Sequence, residues 1–249
     1  MRRAANPLVS IAFVLSTLGL GTQGVAAHEA HVWSNSDAFS VGCLGFVDTY
    51  PQKLYSLNVS QMSKLGYSVT GTLGAGFTRA AFLGNVFADY GVYVHSHGDN
   101  YWAATGAPKI DSAFMQDPGV GKCNDRAVDL VRSSQIKRVT LGTQYNLVIM
   151  STCMLGASSS TMPDAFQIEK TKSSTQPEFY LGYVNSTYDS SALRFEQAFW
   201  SYMNGGTNRT FYQAFTYAAG IGGYAIPDSS NPFVANWWGN PNYTGKPGL

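Results

Sequence analysis

Residues 145–151 read YNLVIMS, and Leu147, Val148, Ile149 and Met150 follow one another with no polar residue between them. Side chains of a strand point alternately to opposite faces, so a strand without alternation needs apolar cover on both faces. That requirement is met by a mostly parallel sheet with helices packed above and below it. The segments FSVGCLGFV (39–47), VYVH (92–95) and EFYLGYV (178–184) read as further buried strands.

Helix-like stretches lie between them. PQKLYSLNVSQMSKLG (51–66) reads as a helix stopped by Gly66, and FTRAAFLGNVFADYG (77–91) as a helix with Thr78 as its N-cap. RAVDLVRSSQI (126–136) reads as a short helix, and MLGASSSTMPDAFQIEK (154–170) begins loose and continues as one. SALRFEQAFWSYMNGG and RTFYQAFTYAAG read as two amphipathic helices. Residues 99–125 lack a clear period and read as a long loop holding a short hairpin. The fold class expected is α/β, a three-layer α/β/α sandwich with a mostly parallel central sheet.

The first 27 residues are set apart. Arg2 and Arg3 precede an apolar segment from about Leu8 to Leu20, and Val25 and Ala27 suit the −3 and −1 positions of a signal-peptidase site. The expectation is a signal peptide over 1–27, a secreted or periplasmic mature chain, no membrane insertion after cleavage, and one domain over 28–249. About 220 residues are enough for a full core. With net charge +1 and 12% charged residues, the chain has neither a basic face for nucleic acid nor a polybasic membrane patch. Of three cysteines, Cys43 reads as a small buried residue or as the partner of Cys123, and Cys153 stands apart. The sequons at Asn58, Asn185, Asn208 and Asn242 matter only in a eukaryotic secretory route.

In a parallel sheet, ligands bind at the carboxyl ends of the strands. His97 closes one strand and Cys153 the next long one. A thiol beside an imidazole supplies a nucleophile and an acid–base group in one site. Gly98 lets the chain approach closely, and backbone N–H groups at a strand end can hold an oxyanion.

VYVHSHGD, then NLVIMSTC, then FYLGYV with the two helices after it, resembles the caspase-like cysteine peptidases, the group of caspases, gingipains, legumains and clostripain. The resemblance covers roughly residues 40–220. It implies a catalytic dyad of His97 and Cys153, an oxyanion hole from the N–H groups of Gly98 and Cys153, and a peptide or protein substrate. No cofactor and no metal is implied. Relatives that cut after Lys or Arg often carry an acid two positions before the Cys, where this chain has Ser151. Asp99 is the rival acidic candidate and reads otherwise as a loop cap. Tyr183 and Asn185, in GYVNST, are further substrate contacts. His95 supports the site from behind or packs beneath the sheet rim. CMLG keeps a Gly at 156, in loose accord with the relatives' pattern.

Rival readings are weaker. His95-x-His97-x-Asp99 opens a metallo-β-lactamase zinc pattern, but the next ligand position is Asn100 and no histidine follows His97. A chain beginning HEAH at His28 can bind copper, though such enzymes are antiparallel sandwiches; the plainer reading is a disordered tail. The G-x-S-x-G elbow of serine hydrolases is absent, since GASSS lacks the second Gly. The non-enzyme alternative is a catalytically inactive binding module of the cell exterior. NPFVANWWGNPNY (231–243) would supply it a recognition patch, or else a strand that completes the sheet.

Overall fold

A computed structural model describes residues 28–35, 49–99, 111–117, 130–222 and 233–245. The signal-peptide expectation, the FSVGCLGFV strand and a Cys43–Cys123 pairing lie outside these residues. Strand β1 (Glu29–Ser34) leads to helix α1 (Tyr50–Lys64), strand β2 (Ser68–Leu73), helix α2 (Arg79–Asn85) and strand β3 (Gly91–His95). Three short strands follow, β4 (Gly98–Asp99), β5 (Ala113–Met115) and β6 (Leu130–Arg132). Then come helix α3 (Ser133–Val139), strand β7 (Leu147–Ser151), helix α4 (Met162–Ala165), strand β8 (Phe179–Tyr183), helices α5 (Asp189–Met203) and α6 (Phe211–Gly222), and strand β9 (Ala235–Gly239).

The main sheet runs β2-β1-β3-β7-β8-β9, parallel throughout except for β9, which is antiparallel to β8. β7 shows why both faces are covered. Leu147 and Ile149 enter a core shared with Leu54 of α1, Phe195 and Phe199 of α5, and Phe211 of α6. Val148 and Met150 enter a second core with Phe82 of α2, Ile136 of α3 and Met162 of α4. Each of these side chains, fully buried, contributes about 1.5–3 kcal/mol relative to exposure. The architecture is the expected three-layer α/β sandwich with a mostly parallel sheet. Among the described residues no helix is long and apolar enough to cross a membrane.

Local signals explain several boundaries. Thr78 accepts a hydrogen bond from the N–H of Ala81 at 3.1 Å and caps α2. Gly66, at φ 101°, ends α1 in the left-handed region that glycine tolerates. Two expectations are corrected. Residues 29–34 are no loose tail: β1 lies inside the sheet between β2 and β3. His31, stacked on Trp33 at 3.7 Å, is held through Nε2 to Thr72 Oγ1 at 2.8 Å, so its polar ring is accommodated in a buried strand. The RAVDLVRSSQI segment is also not one helix. Leu130–Arg132 pairs with β5, and the helix starts only at Ser133, where Arg132 N–H donates to Gln135 Oε1 at 3.0 Å.

Asn58 of α1 is fully buried, and its Nδ2 donates to Leu54 O at 2.8 Å and Glu196 Oε2 at 2.7 Å. That sequon is therefore closed to any modifying enzyme in the folded chain.

Asp89, just before β3, is 6% exposed, and its Oδ2 has no hydrogen-bond partner among the described residues. Burial, with the Glu29 charge adding to it, pushes its carboxyl up to about 7 from 3.8. The folded chain thus holds this proton to about pH 7, whereas the unfolded chain releases it near pH 3.8. Asp89 costs nothing below pH 3.8, costs more as pH rises to 7, and carries its full penalty above that. Asp89→Asn should stabilise the chain by about 2–4 kcal/mol at pH 8 and by almost nothing at pH 4. Urea unfolding at the two pH values checks this, and an equal effect at both would refute it.

Candidate functional site

Parallel pairing of β3 with β7 sets His95 opposite Ser151 at the carboxyl ends of the two strands. His97 and Cys153 each lie two residues beyond that pair, so both chains deliver them to the same rim. Between them the backbones close in. A Cβ on Gly98 would lie 2.8 Å from the carbonyl oxygen of Cys153 and 2.9 Å from Thr152 Cβ. Only glycine fits there. The segment before Gly98 is held by β5: Ser96 Oγ donates to Met115 O at 2.5 Å, and Met115 N–H donates to His97 O at 3.0 Å.

The turn after β7 is clamped on its other side. Met154 adopts φ 61°, a conformation that costs a residue with a Cβ about 1–2 kcal/mol. Neighbouring bonds hold it there. Met154 N–H donates to Asn185 O at 3.4 Å, and Gly156 N–H to Tyr183 O at 2.7 Å. Tyr180 OH donates to Leu155 O at 2.8 Å, and Asn236 Nδ2 to Gly156 O at 3.1 Å. Cys153, one residue ahead of the strained position, is thereby fixed at the mouth of the cleft.

The cleft is a pocket of about 130 Å³ lined by Ser96, His97, Ser151, Thr152, Cys153, Tyr183, Thr187, Asp189 and Ala192. Of the residues singled out from sequence, His97, Ser151, Cys153 and Tyr183 meet here. Gly98 lies alongside, against Thr152 and Cys153. Asp99 and Asn185 do not line the pocket. Asp99 pairs with Ala113 in β4, and the Asn185 carbonyl is taken up by the turn after Cys153. His95 is 2% exposed beneath the rim, with Nδ1 3.1 Å from Ser151 O and Nε2 3.8 Å from Asp189 Oδ2.

Five lining residues, Ser96, Thr152, Thr187, Asp189 and Ala192, were not singled out from sequence, and Thr187 and Asp189 are the two that bear most on the thiol. Thr187 N–H donates to Cys153 Sγ at 3.3 Å. Asp189 is the first residue of α5, with a side chain 14% exposed, and Ala192 follows it one turn later on the same side. The rim rule applied to β8 reaches them: both follow that strand, as His97 follows β3 and Cys153 follows β7.

Below the pocket lies a buried polar network. Glu196 of α5 is fully buried, and it accepts from Tyr93 OH at 3.1 Å, Asn58 Nδ2 at 2.7 Å and Tyr183 OH at 2.7 Å. Trp200 Nε1 donates to Asn58 Oδ1 at 2.8 Å. Burial pushes the Glu196 carboxyl above its usual value, while its hydrogen bonds pull it back. The network ties α1, β3, β8 and α5 together and fixes Tyr183 as a pocket wall.

Electrostatics bear on the thiol. Burial pushes Cys153 above its usual value, the Thr187 N–H pulls it down, and the Asp189 and Asp99 charges push it up. Among the described residues, no group of three or more His, Cys, Asp or Glu side chains is placed to hold a metal ion. The arrangement offers a thiol, an imidazole and a carboxylate at one enclosed strand-end cleft.

No protein-family model matches the sequence, and no curated protein matches it. Solved structures do match in shape. One is the Arg-specific cysteine proteinase gingipain R, at TM-score 0.52 and 14% identity over 86% of this chain. Another is caspase-1 from Spodoptera frugiperda, at TM-score 0.50 and 12% identity, covering 85% of this chain and 86% of that one. The chain spans 46% of the gingipain R structure. At these identities the likeness is one of fold, and the fold of this chain is caspase-like.

Proposed function

We propose that the chain is an exported cysteine peptidase that hydrolyses peptide bonds with His97 and Cys153. The observation that carries this reading is the convergence of the two side chains on one pocket from neighbouring parallel strands, with Gly98 against the Cys153 backbone. His97 takes the thiol proton, and the thiolate forms a C–S bond with the carbonyl carbon of the substrate. The oxygen becomes negative and is received by the N–H groups of Gly98 and Cys153. The C–N bond breaks, and His97 gives its proton to the departing amine. Water then attacks the thioester as His97 takes a proton from it. The C–S bond breaks, releasing a carboxylic acid and restoring the thiol.

Export enters this reading through the leader pattern of residues 1–27. Cleavage after Ala27 leaves all of β1 in place, and N-terminal sequencing of secreted protein should begin at His28.

A second reading has one observation in its favour. The thiol is pushed up rather than down at rest, which suits an inactive binding module better than a standing thiolate. Incubation of the purified chain with an unstructured protein substrate separates the two readings. New peptide termini that disappear after iodoacetamide treatment support the peptidase. A folded chain that generates none supports the binding module.

A further inference from the structure

His95 ends β3 two residues before His97, and it is buried beneath the rim. Backbone and ring are both fixed. Asn35 N–H donates to His95 O at 3.0 Å, and Ser34 of β1 and Ser151 of β7 stand opposite His95 in the sheet. Nδ1 lies 3.1 Å from Ser151 O and 3.4 Å from Ser151 Oγ, and Nε2 lies 3.8 Å from Asp189 Oδ2. A carbonyl oxygen only accepts, so Nδ1 carries a hydrogen. In a neutral ring Nε2 would then turn its lone pair toward a carboxylate inside the fold. A proton on Nε2 removes that conflict. Asp189 is the first residue of a 15-residue helix, where a carboxylate is favoured as the anion, so this proton belongs to the ring.

We propose that His95 is a positioning residue for the thiol: held as an imidazolium between Ser151 O and Asp189, it offsets the carboxylate charge that Asp189 presents to Cys153. The proposal rests on the peptidase reading above, in which His97, not His95, exchanges protons with the thiol. Burial raises the Cys153 thiol, and the Asp189 and Asp99 charges raise it further. Asp189 and Cys153 line one pocket, so a positive charge 3.8 Å from that carboxylate reaches the thiol through it. As pH rises and His95 yields its proton, the pair turns from neutral to anionic, and the thiol becomes harder to ionise. Other ionisable groups surround the ring. Burial raises the Glu196 carboxyl of α5, and the His95 charge is among the influences that lower it. Tyr93 of β3 and Tyr183 of β8 donate to Glu196, and burial raises both phenols, so they stay neutral. From β1 comes Ser34, which does not titrate. In the first turn of α1 are Tyr50 and Lys53, the exposed Lys53 lying 4.9 Å over the Tyr50 ring. His97 shares the rim.

The test follows iodoacetamide alkylation of Cys153 across pH 5–10, read by peptide mass spectrometry, in the wild type, His95→Asn, Asp189→Asn and the double variant. Asparagine keeps a donor for Ser151 O without the charge. His95→Asn should raise the alkylation midpoint by about one pH unit, the scale of one charge left unpaired nearby. In the Asp189→Asn background the same change at His95 should move it by less than about a third of that. A merely structural role would move it alike in both backgrounds. Proton–nitrogen correlation spectra of the wild type with isotope-labelled histidine should show both His95 ring nitrogens protonated at pH 7.

An equal shift in both backgrounds, or none in either, would overturn the proposal and leave the peptidase reading standing. So would a bare His95 ring nitrogen in the wild type at pH 7. A coupled shift in a chain that cleaves no peptide supports the tuning of the thiol and counts against the peptidase reading. Should a variant fail to fold, the wild-type spectrum decides alone.

Discussion

His97→Ala should lower kcat/KM for peptide hydrolysis by about 10²–10⁴-fold, the usual contribution of a positioned acid–base group. The thermal midpoint should stay close to that of the wild type, because His97 lies at the cleft surface rather than in either core. The loss comes from two steps: the thiol must ionise unaided, and the amine must leave without a proton. The pH profile should change as well as the rate, with the limb that reports imidazole ionisation disappearing. Cys153→Ala should remove turnover altogether, since no other thiol among the described residues lines the pocket. Steady-state kinetics with a fluorogenic peptide checks both. A His97→Ala rate within threefold of the wild type would show that His97 does not serve the thiol.

Gly156→Ala should be the most damaging small substitution near the site. Its Cβ would lie 2.2 Å from the carbonyl oxygen of Gly182 and 2.3 Å from the carbonyl carbon. Both are backbone atoms of β8, an interior strand, and cannot turn aside as a flexible side chain would. Either the turn after Cys153 lifts away, breaking the Gly156 N–H to Tyr183 O bond, or β8 shifts against β7. The expected cost is more than about 3 kcal/mol, the upper range for overpacking a rigid contact. Urea denaturation gives the value, and a midpoint equal to the wild type would contradict the close approach. Because the same turn aims Cys153, activity should fall even at temperatures where the variant stays folded.

Much of this arrangement was legible in the residues. Unbroken apolar runs such as Leu147–Met150 demanded cover on both faces, and that demand fixed a helix-covered parallel sheet. Gly66 and Thr78 marked helix ends through local chemistry that needs no tertiary context. The placement of His97 and Cys153 on one rim followed from strand-end logic, because adjacent parallel strands end together.

What escaped the sequence depended on contacts between distant residues. β1 reads EAHVWS, with Glu29 and His31 interrupting one face and Ser34 the other. His31 becomes tolerable in a buried strand only through Trp33 and Thr72. Leu130–Arg132 is a strand because β5 is beside it, not because three residues declare one. Asp189 was missed for another reason. It lies beyond the last polar residue of the loop after β8, and only the fold back of that loop toward Cys153, seen in the Thr187 N–H to Sγ bond, brings it into the pocket. Asp99, closer in sequence to His97, is drawn into the β4–β5 pairing instead.

The central claim is that Cys153 forms a covalent acyl intermediate with the help of His97. Acid quenching of the wild-type chain during turnover of an activated peptide ester, followed by peptide mass spectrometry, tests it directly. The account predicts an acyl mass on the peptide containing Cys153 that decays as product appears, and in His97→Ala a much slower formation and decay. Turnover with no adduct at Cys153, or with an adduct on another side chain, would contradict it.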